Sequence, residues 1–157
     1  MNTVNTVPDR GGLAARHRVA AIVAAAALAA LLMTLLAVEW VFAGLRGTAV
    51  FFRPEGTVAL RYGFYGAAVA AVVLLRVLRG VILRKRPGED ETALGRKLFL
   101  ASLLTTTLSE VPAVLGLVLF FAAGLKRDFF ILTAVSLVLM FMFFPRLGQW
   151  REWLGRS

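Results

Sequence analysis

The sequence predicts an all-α polytopic membrane protein, with four transmembrane helices in two antiparallel hairpins and a short C-terminal interfacial helix. Three observations carry this. The 157-residue chain is 59% hydrophobic with a mean hydropathy of +0.78, well above the usual apolar share of a globular domain. Its apolar residues stand in blocks long enough for a spanning helix, which needs about 20 of them because the hydrocarbon core is about 30 Å thick and a helix rises about 1.5 Å per residue. The lysines and arginines gather at alternate ends of those blocks.

The first span is expected over residues 19–45, where VAAIVAAAALAALLMTLLAV carries no charge and Glu39 stands near the far end. Its apolar stretch is too long for a signal peptide, and LAVEWVFAG offers no small-residue cleavage site, so it is expected to stay as an anchor. The second span is expected over 62–83, with Arg76 and Arg79 in its last third. The third, over 98–125, lies between Lys97 and Lys126; at about 28 residues it exceeds a perpendicular crossing and should tilt or pass the interface. The fourth, over 129–145, is the shorter FFILTAVSLVLMFMFF closed by Pro145 and Arg146.

Between the spans, residues 1–18 are polar and punctuated by glycine and proline, which predicts a disordered cytoplasmic tail. The first connection, LRGTAVFFRPEGTVALR, reads as a turn or short re-entry with Phe51 and Phe52 at the outer interface. The middle one, RKRPGEDETALGRK, is solvated, with Glu89, Asp90 and Glu91 set to neutralise neighbouring bases. In the tail over 146–157, Leu147, Trp150, Trp153 and Leu154 recur at helical spacing, so Trp150 and Trp153 are expected as interface anchors.

The net charge of +9 and pI near 11.4 would suit nucleic acid if the cations formed one patch. Instead they follow the spans. Arg10, Arg16 and Arg18 precede the first; Arg84, Lys85, Arg86, Arg96 and Lys97 separate the second from the third; Arg146, Arg151 and Arg156 follow the fourth. Such residues accumulate on the cytoplasmic side, which places both termini and the middle connection there, in a bacterial inner membrane, and leaves no nucleic-acid partner expected. The expected partners are anionic lipid headgroups, met by the long side chains of Arg76, Arg79 and Arg84, and further copies or a larger membrane complex. No cofactor is expected. There is no cysteine, which removes thiolate metal sites, and the one histidine, His17, lies in the tail, where a haem inside the bundle could not use it.

The residue that fits its setting least is Glu110, in TTTLSEVPAVLGLVLFF. Entering at Leu98, it lies about 18 Å into a core of about 30 Å, where an ionised carboxylate costs about 2.5–3.5 kcal/mol unless it is protonated or partnered. Thr106 and Thr107 stand one turn before it, and Thr34, Ser136 and Tyr65 reach a similar level. Pro112 removes a backbone donor and predicts a kink, leaving the Leu108 carbonyl for Ser109 or a neighbouring hydroxyl. Ser102, Thr106, Ser109, Ala113 and Gly116 form a small-residue stripe that would admit a close helix, as do Gly63, Gly66 and Ala70 on the second span. Glu110 therefore has two readings: a buried carboxyl that orients a kinked helix, or a proton or cation site helped by Thr106, Thr107 and Ser136. The first is the leading one. Glu39 is expected to pair with Arg46 or Arg61; a bridge from Arg76 to Glu110 would have to cross about 9 Å of depth.

The stretch from Ser109 to Phe121, SEVPAVLGLVLFF, is similar to a group of small uncharacterised bacterial four-helix membrane proteins with an E-x-P-A-x-x-G-L-V-L-F pattern and a terminal F-P-R, here Phe144, Pro145 and Arg146. That resemblance covers the C-terminal half and implies fold and location, without an established activity. The same stretch resembles, more locally, the carboxylate-bearing helix of rotary ATPase proteolipid subunits, which would imply an ion-binding role for Glu110 alone. No phosphate-binding glycine loop, zincin motif, serine elbow or paired intramembrane carboxylate is present. The function expected is thus a non-enzymatic accessory or self-associating membrane component; the alternative is a small proton- or cation-coupled transporter or channel subunit that uses Glu110.

Overall fold

The computed structural model describes residues 10–44, 54–84, 89, 91–146, 148, 150 and 152. They form four helices: α1 (Arg10–Gly44), α2 (Pro54–Ile82), α3 (Glu91–Ala123) and α4 (Lys126–Met142). Three stretches, Gly12–Val41, Gly56–Ile82 and Thr92–Ala123, are long and apolar enough to cross a membrane. The 17 residues of α4 rise only about 26 Å. The first connection with Phe51 and Phe52, the centre of the middle one, and Leu147, Trp153 and Leu154 lie outside the described residues.

Each helix but α4 starts well before its apolar run. α1 begins at Arg10, so the second half of the stretch expected as disordered tail is helical. Side chains from that half hold on to the rest of the fold. Arg16 Nη1 donates to the Thr92 carbonyl at 3.1 Å, His17 Nε2 donates to the Pro145 carbonyl at 3.1 Å, and Leu13 packs beside Ala20 and Leu98. α2 opens on Pro54, whose missing N–H is no loss at a helix start.

Four apolar clusters give the topology. One end joins Ala20, Leu83, Leu98 and Trp150; the middle joins Leu31, Ala113 and Met140; the other end joins Val38, Phe120 and Phe129, beside Ala68, Leu119 and Leu132. The helices therefore run up, down, up and down. Of the two expected hairpins, α3 and α4 pack as one, whereas α1 and α2 make no substantial contact with each other. The reason lies in their surfaces. α1 buries one narrow seam, Ala20, Ala24, Leu31 and Val38, and α2 another, Ala68, Ala71 and Leu75. α3 is buried along much of its length and α4 is as well, so α1 docks on α3 and α4 while α2 docks on α3.

The hairpin between α3 and α4 turns at Gly124, whose φ of 67° is the left-handed conformation that ends helices at glycine. Its amide donates to the Phe120 carbonyl at 2.9 Å. Further along, a Cβ on Gly116 would lie 3.1 Å from Leu132 Cβ and 3.1 Å from Phe129 Cα. The small stripe of α3 thus meets α4 at Ala113 and Gly116. Gly63, Gly66 and Ala70 on α2 face outward instead.

Candidate functional site

The middle layer holds the candidates that the sequence singled out. Thr106 Oγ1 donates to the Ser102 carbonyl at 3.0 Å, Thr107 Oγ1 to Leu103 at 3.1 Å and Ser109 Oγ to Thr105 at 2.7 Å; Thr105 Oγ1 does the same to Ala101. On α1, Thr34 Oγ1 donates to Ala30 at 2.9 Å. A hydroxyl has one proton to give, and all five give it to their own helix one turn back.

Ser136 is fully buried and meets α3 beside Pro112. Its Oγ accepts the amide of Ala113 at 2.9 Å, the N–H immediately after Pro112, where proline disturbs the helical ladder. Ser109, expected to serve the Leu108 carbonyl, gives its proton to Thr105 instead. Thr133 Oγ1, nearby on α4, is buried with no hydrogen-bond partner among the described residues.

Glu110 does not gather these groups. It is partly exposed and makes no hydrogen bond or ion pair among the described residues, so neither Arg76 nor the hydroxyls hold it. It stands three residues before Ala113 and seven before Leu117, both packed toward α1, and three after Thr107, which is exposed. The carboxyl thus borders the uncovered face of α3, where Leu104, Val114, Val118 and Phe121 are also exposed. It is not sealed in the bundle.

The best-built polar constellation lies near Leu119 and was not foreseen. Asp128, only 2% exposed, occupies the first turn of α4, where negative charge suits the helix dipole. Its Oδ1 accepts three donors from one face of α2: Arg61 Nε at 2.9 Å, Arg61 Nη2 at 2.9 Å and Tyr65 Oη at 2.8 Å. Arg61 also lies 5.9 Å from the Tyr65 ring centroid. The signal was present: Arg61 and Tyr65 are four apart, so one helical face offers a guanidinium and a phenol to a common acceptor. Glu39 pairs with Lys126 at 2.8 Å, not with Arg61, because Asp128 takes that guanidinium into a less hydrated site; Arg46 lies outside the described residues.

At the opposite end, Arg76 and Arg84 are exposed and Arg79 is partly buried, with its guanidinium carbon 4.7 Å from the Phe143 ring centroid. Arg79 lines a cavity of about 260 Å³ together with Leu98, Ser102, Thr105, Phe143 and Trp150. Beside it, Arg76, Gly80 and Met142 border a groove of about 420 Å³ that shares Arg79, Leu83 and Phe143. Lys97 Nζ donates to the Arg84 carbonyl at 3.0 Å and pairs with Glu89, as the alternation of charge in that connection suggested. Trp150, expected as an interface anchor, is instead 4% exposed, set edge-on to His17 at 5.2 Å. Its indole covers Ala20 and Leu98, apolar area larger than the alanine seam of α1 could close alone. Trp153 lies outside the described residues.

No protein-family model, curated protein or solved structure matches this chain. Function must be argued from these three layers. Among the described residues no three of His, Asp or Glu come together as metal ligands. Asp128 is held by Arg61 and Tyr65, Glu110 has no hydrogen-bond partner among the described residues, and Arg79 is a half-buried cation beside a cavity.

Proposed function

We propose that this chain is an integral membrane protein of a bacterial inner membrane, spanning four times with both termini cytoplasmic, and that it acts without enzymatic chemistry as an accessory or self-associating component. The three long apolar helices support the membrane setting. α4 is about one turn short and would reach the interfaces through Phe143 and Phe144.

The observation that carries the functional reading is Glu110. An ionisable group at mid-depth calls for a hydrogen-bond partner, and none of the described residues provides one. A second helix seated on the uncovered face of α3 would provide it, and a second copy of this chain brings an identical carboxyl. A protonated Glu110 can donate to its counterpart and accept in return. The exposed Gly63, Gly66 and Ala70 of α2 favour close approach from the same membrane phase.

Ion transport has less behind it. Thr106 and Thr107 direct their protons to their own helix and Ser136 serves Ala113, so the donor set imagined around Glu110 is dispersed. Because the chain has no cysteine, the reading is testable by introducing one. Thr107→Cys should form a disulfide-linked dimer on oxidation in native membranes, and adding Glu110→Leu should reduce its yield severalfold. A monomer by mass in mild detergent, with no cross-link from Thr107→Cys or Val114→Cys, would remove the self-association. Proton flux into liposomes that disappears in Glu110→Gln would restore the transport alternative.

A further inference from the structure

We propose that the cleft around Arg79 binds the phosphate of an anionic phospholipid, with an acyl chain lying in the adjoining groove between α2 and the end of α4. This rests on the membrane reading above but uses a different site from Glu110.

The charge argument comes first. Arg76 and Arg79 are three residues apart on α2, hence on one face, and neither has a carboxylate within ion-pair distance among the described residues. Three other described cations pair with carboxylates: Arg61 with Asp128, Lys97 with Glu89, Lys126 with Glu39. Arg79 is partly buried and has no such partner among the described residues. A guanidinium withdrawn from water without an anion is costly, and phosphate is the anion whose oxygens match its planar fork.

The geometry agrees. The guanidinium rests against the Phe143 ring at 4.7 Å, a contact that fixes the plane while leaving edge N–H groups free to donate. Arg79 lines the cavity of about 260 Å³, whose wall includes Ser102. The adjoining groove of about 420 Å³ is apolar along Gly80, Leu83 and Met142. Together they have the size of ordinary ligand clefts. An anion site that continues into an apolar trough suits a lipid better than free phosphate, which has nothing to place there. Arg79 is also one turn from the end of α2, the level at which headgroups meet a spanning helix. Glu152, at the rim, opposes the anion.

The test uses the full chain purified in a neutral detergent, stripped of lipid, and titrated separately with dioleoylphosphatidylglycerol, dioleoylphosphatidylcholine and inorganic phosphate. Bound lipid is counted by native mass spectrometry and stability is followed by thermal unfolding. Phosphatidylglycerol should bind and raise the unfolding temperature more than phosphatidylcholine. Arg79→Gln should weaken it about tenfold, Glu152→Gln should tighten it, and Arg96→Gln, at an exposed position of α3, should leave it unchanged. A Cβ on Gly80 meets nothing within 4 Å, so Gly80→Phe should fold, fill the groove and weaken the lipid. Equal binding of the two lipids, or wild-type binding by Arg79→Gln and Gly80→Phe, overturns the proposal. Stabilisation by inorganic phosphate that matches the lipid, and survives Gly80→Phe, overturns the lipid assignment in favour of a free anion. If Arg79→Gln does not fold, Arg76→Gln and Gly80→Phe decide. Carbonate extraction tests the membrane setting separately: a chain that stays in the membrane but ignores phosphatidylglycerol fails here alone.

Discussion

The two ends of the bundle handle arginine in opposite ways. At the α4 N-terminus, Arg61 reaches a buried carboxylate that also takes Tyr65, so the charge is balanced within the protein. At the α2 C-terminus, Arg79 is partly buried against Phe143 beside a cavity, and Arg76 stands next to it without a carboxylate. A closed polar cluster should govern stability and be indifferent to lipid. An open one should do the reverse, because its missing anion has to come from outside the chain. Each end can be broken separately.

The greatest effect on folding should follow Asp128→Ala, which strands the Tyr65 hydroxyl and deletes hydrogen bonds to a buried charged acceptor. A loss of about 2–3 kcal/mol is expected, read as a lower midpoint of thermal or detergent-induced unfolding in micelles. A change below about 0.5 kcal/mol would mean that the cluster is not structural, and the contrast between the two ends would collapse. Next in size is Gly116→Ala, whose Cβ would press on the backbone of Phe129 as well as on Leu132; overpacking of this kind costs about 1–3 kcal/mol. Gly80→Ala is its counterpart at the open end. Nothing lies within 4 Å of that Cβ, so the exchange should stabilise α2 by up to about 1 kcal/mol through helix propensity. Ser136→Ala, which takes the acceptor from the Ala113 amide, should cost about 0.6–1 kcal/mol.

Much of this fold was legible because long apolar helices advertise themselves by length. The run from Val19 to Val38 is long and apolar enough to cross a membrane, and Gly116 and Gly124 each mark a place where α3 approaches its neighbour or stops. The assignment of neighbours was not legible. Hydropathy says that α1 and α2 are apolar, but not that each has a single seam and that both seams fit α3. The polar sites were misjudged for a related reason. Glu110 drew attention because it interrupts an apolar run, whereas Asp128 sits among Lys126, Arg127 and Phe129, where a charge looks ordinary. Its burial depends on Arg61 and Tyr65 arriving from a helix more than sixty residues away. Depth along one helix can be counted from a sequence, but the angular position of a neighbouring helix cannot.

The mildest change sharpens the comparison most. Glu39 and Lys126 form a 2.8 Å pair near the Asp128 cluster, but their side chains are 52% and 29% exposed. Exposed pairs of this kind contribute about 0.2–1 kcal/mol, since water solvates either partner once the other is gone. Glu39→Gln should therefore shift unfolding by less than about 0.5 kcal/mol, and the residual effect should fade in high salt. Asp128→Ala should not be rescued by salt, because the missing hydrogen bonds are buried. If the two substitutions had equal effects and equal salt dependence, burial of the Asp128 carboxylate would count for little. Retention of phosphatidylglycerol should be the same in both variants, because each lies at the end of the bundle away from Arg79.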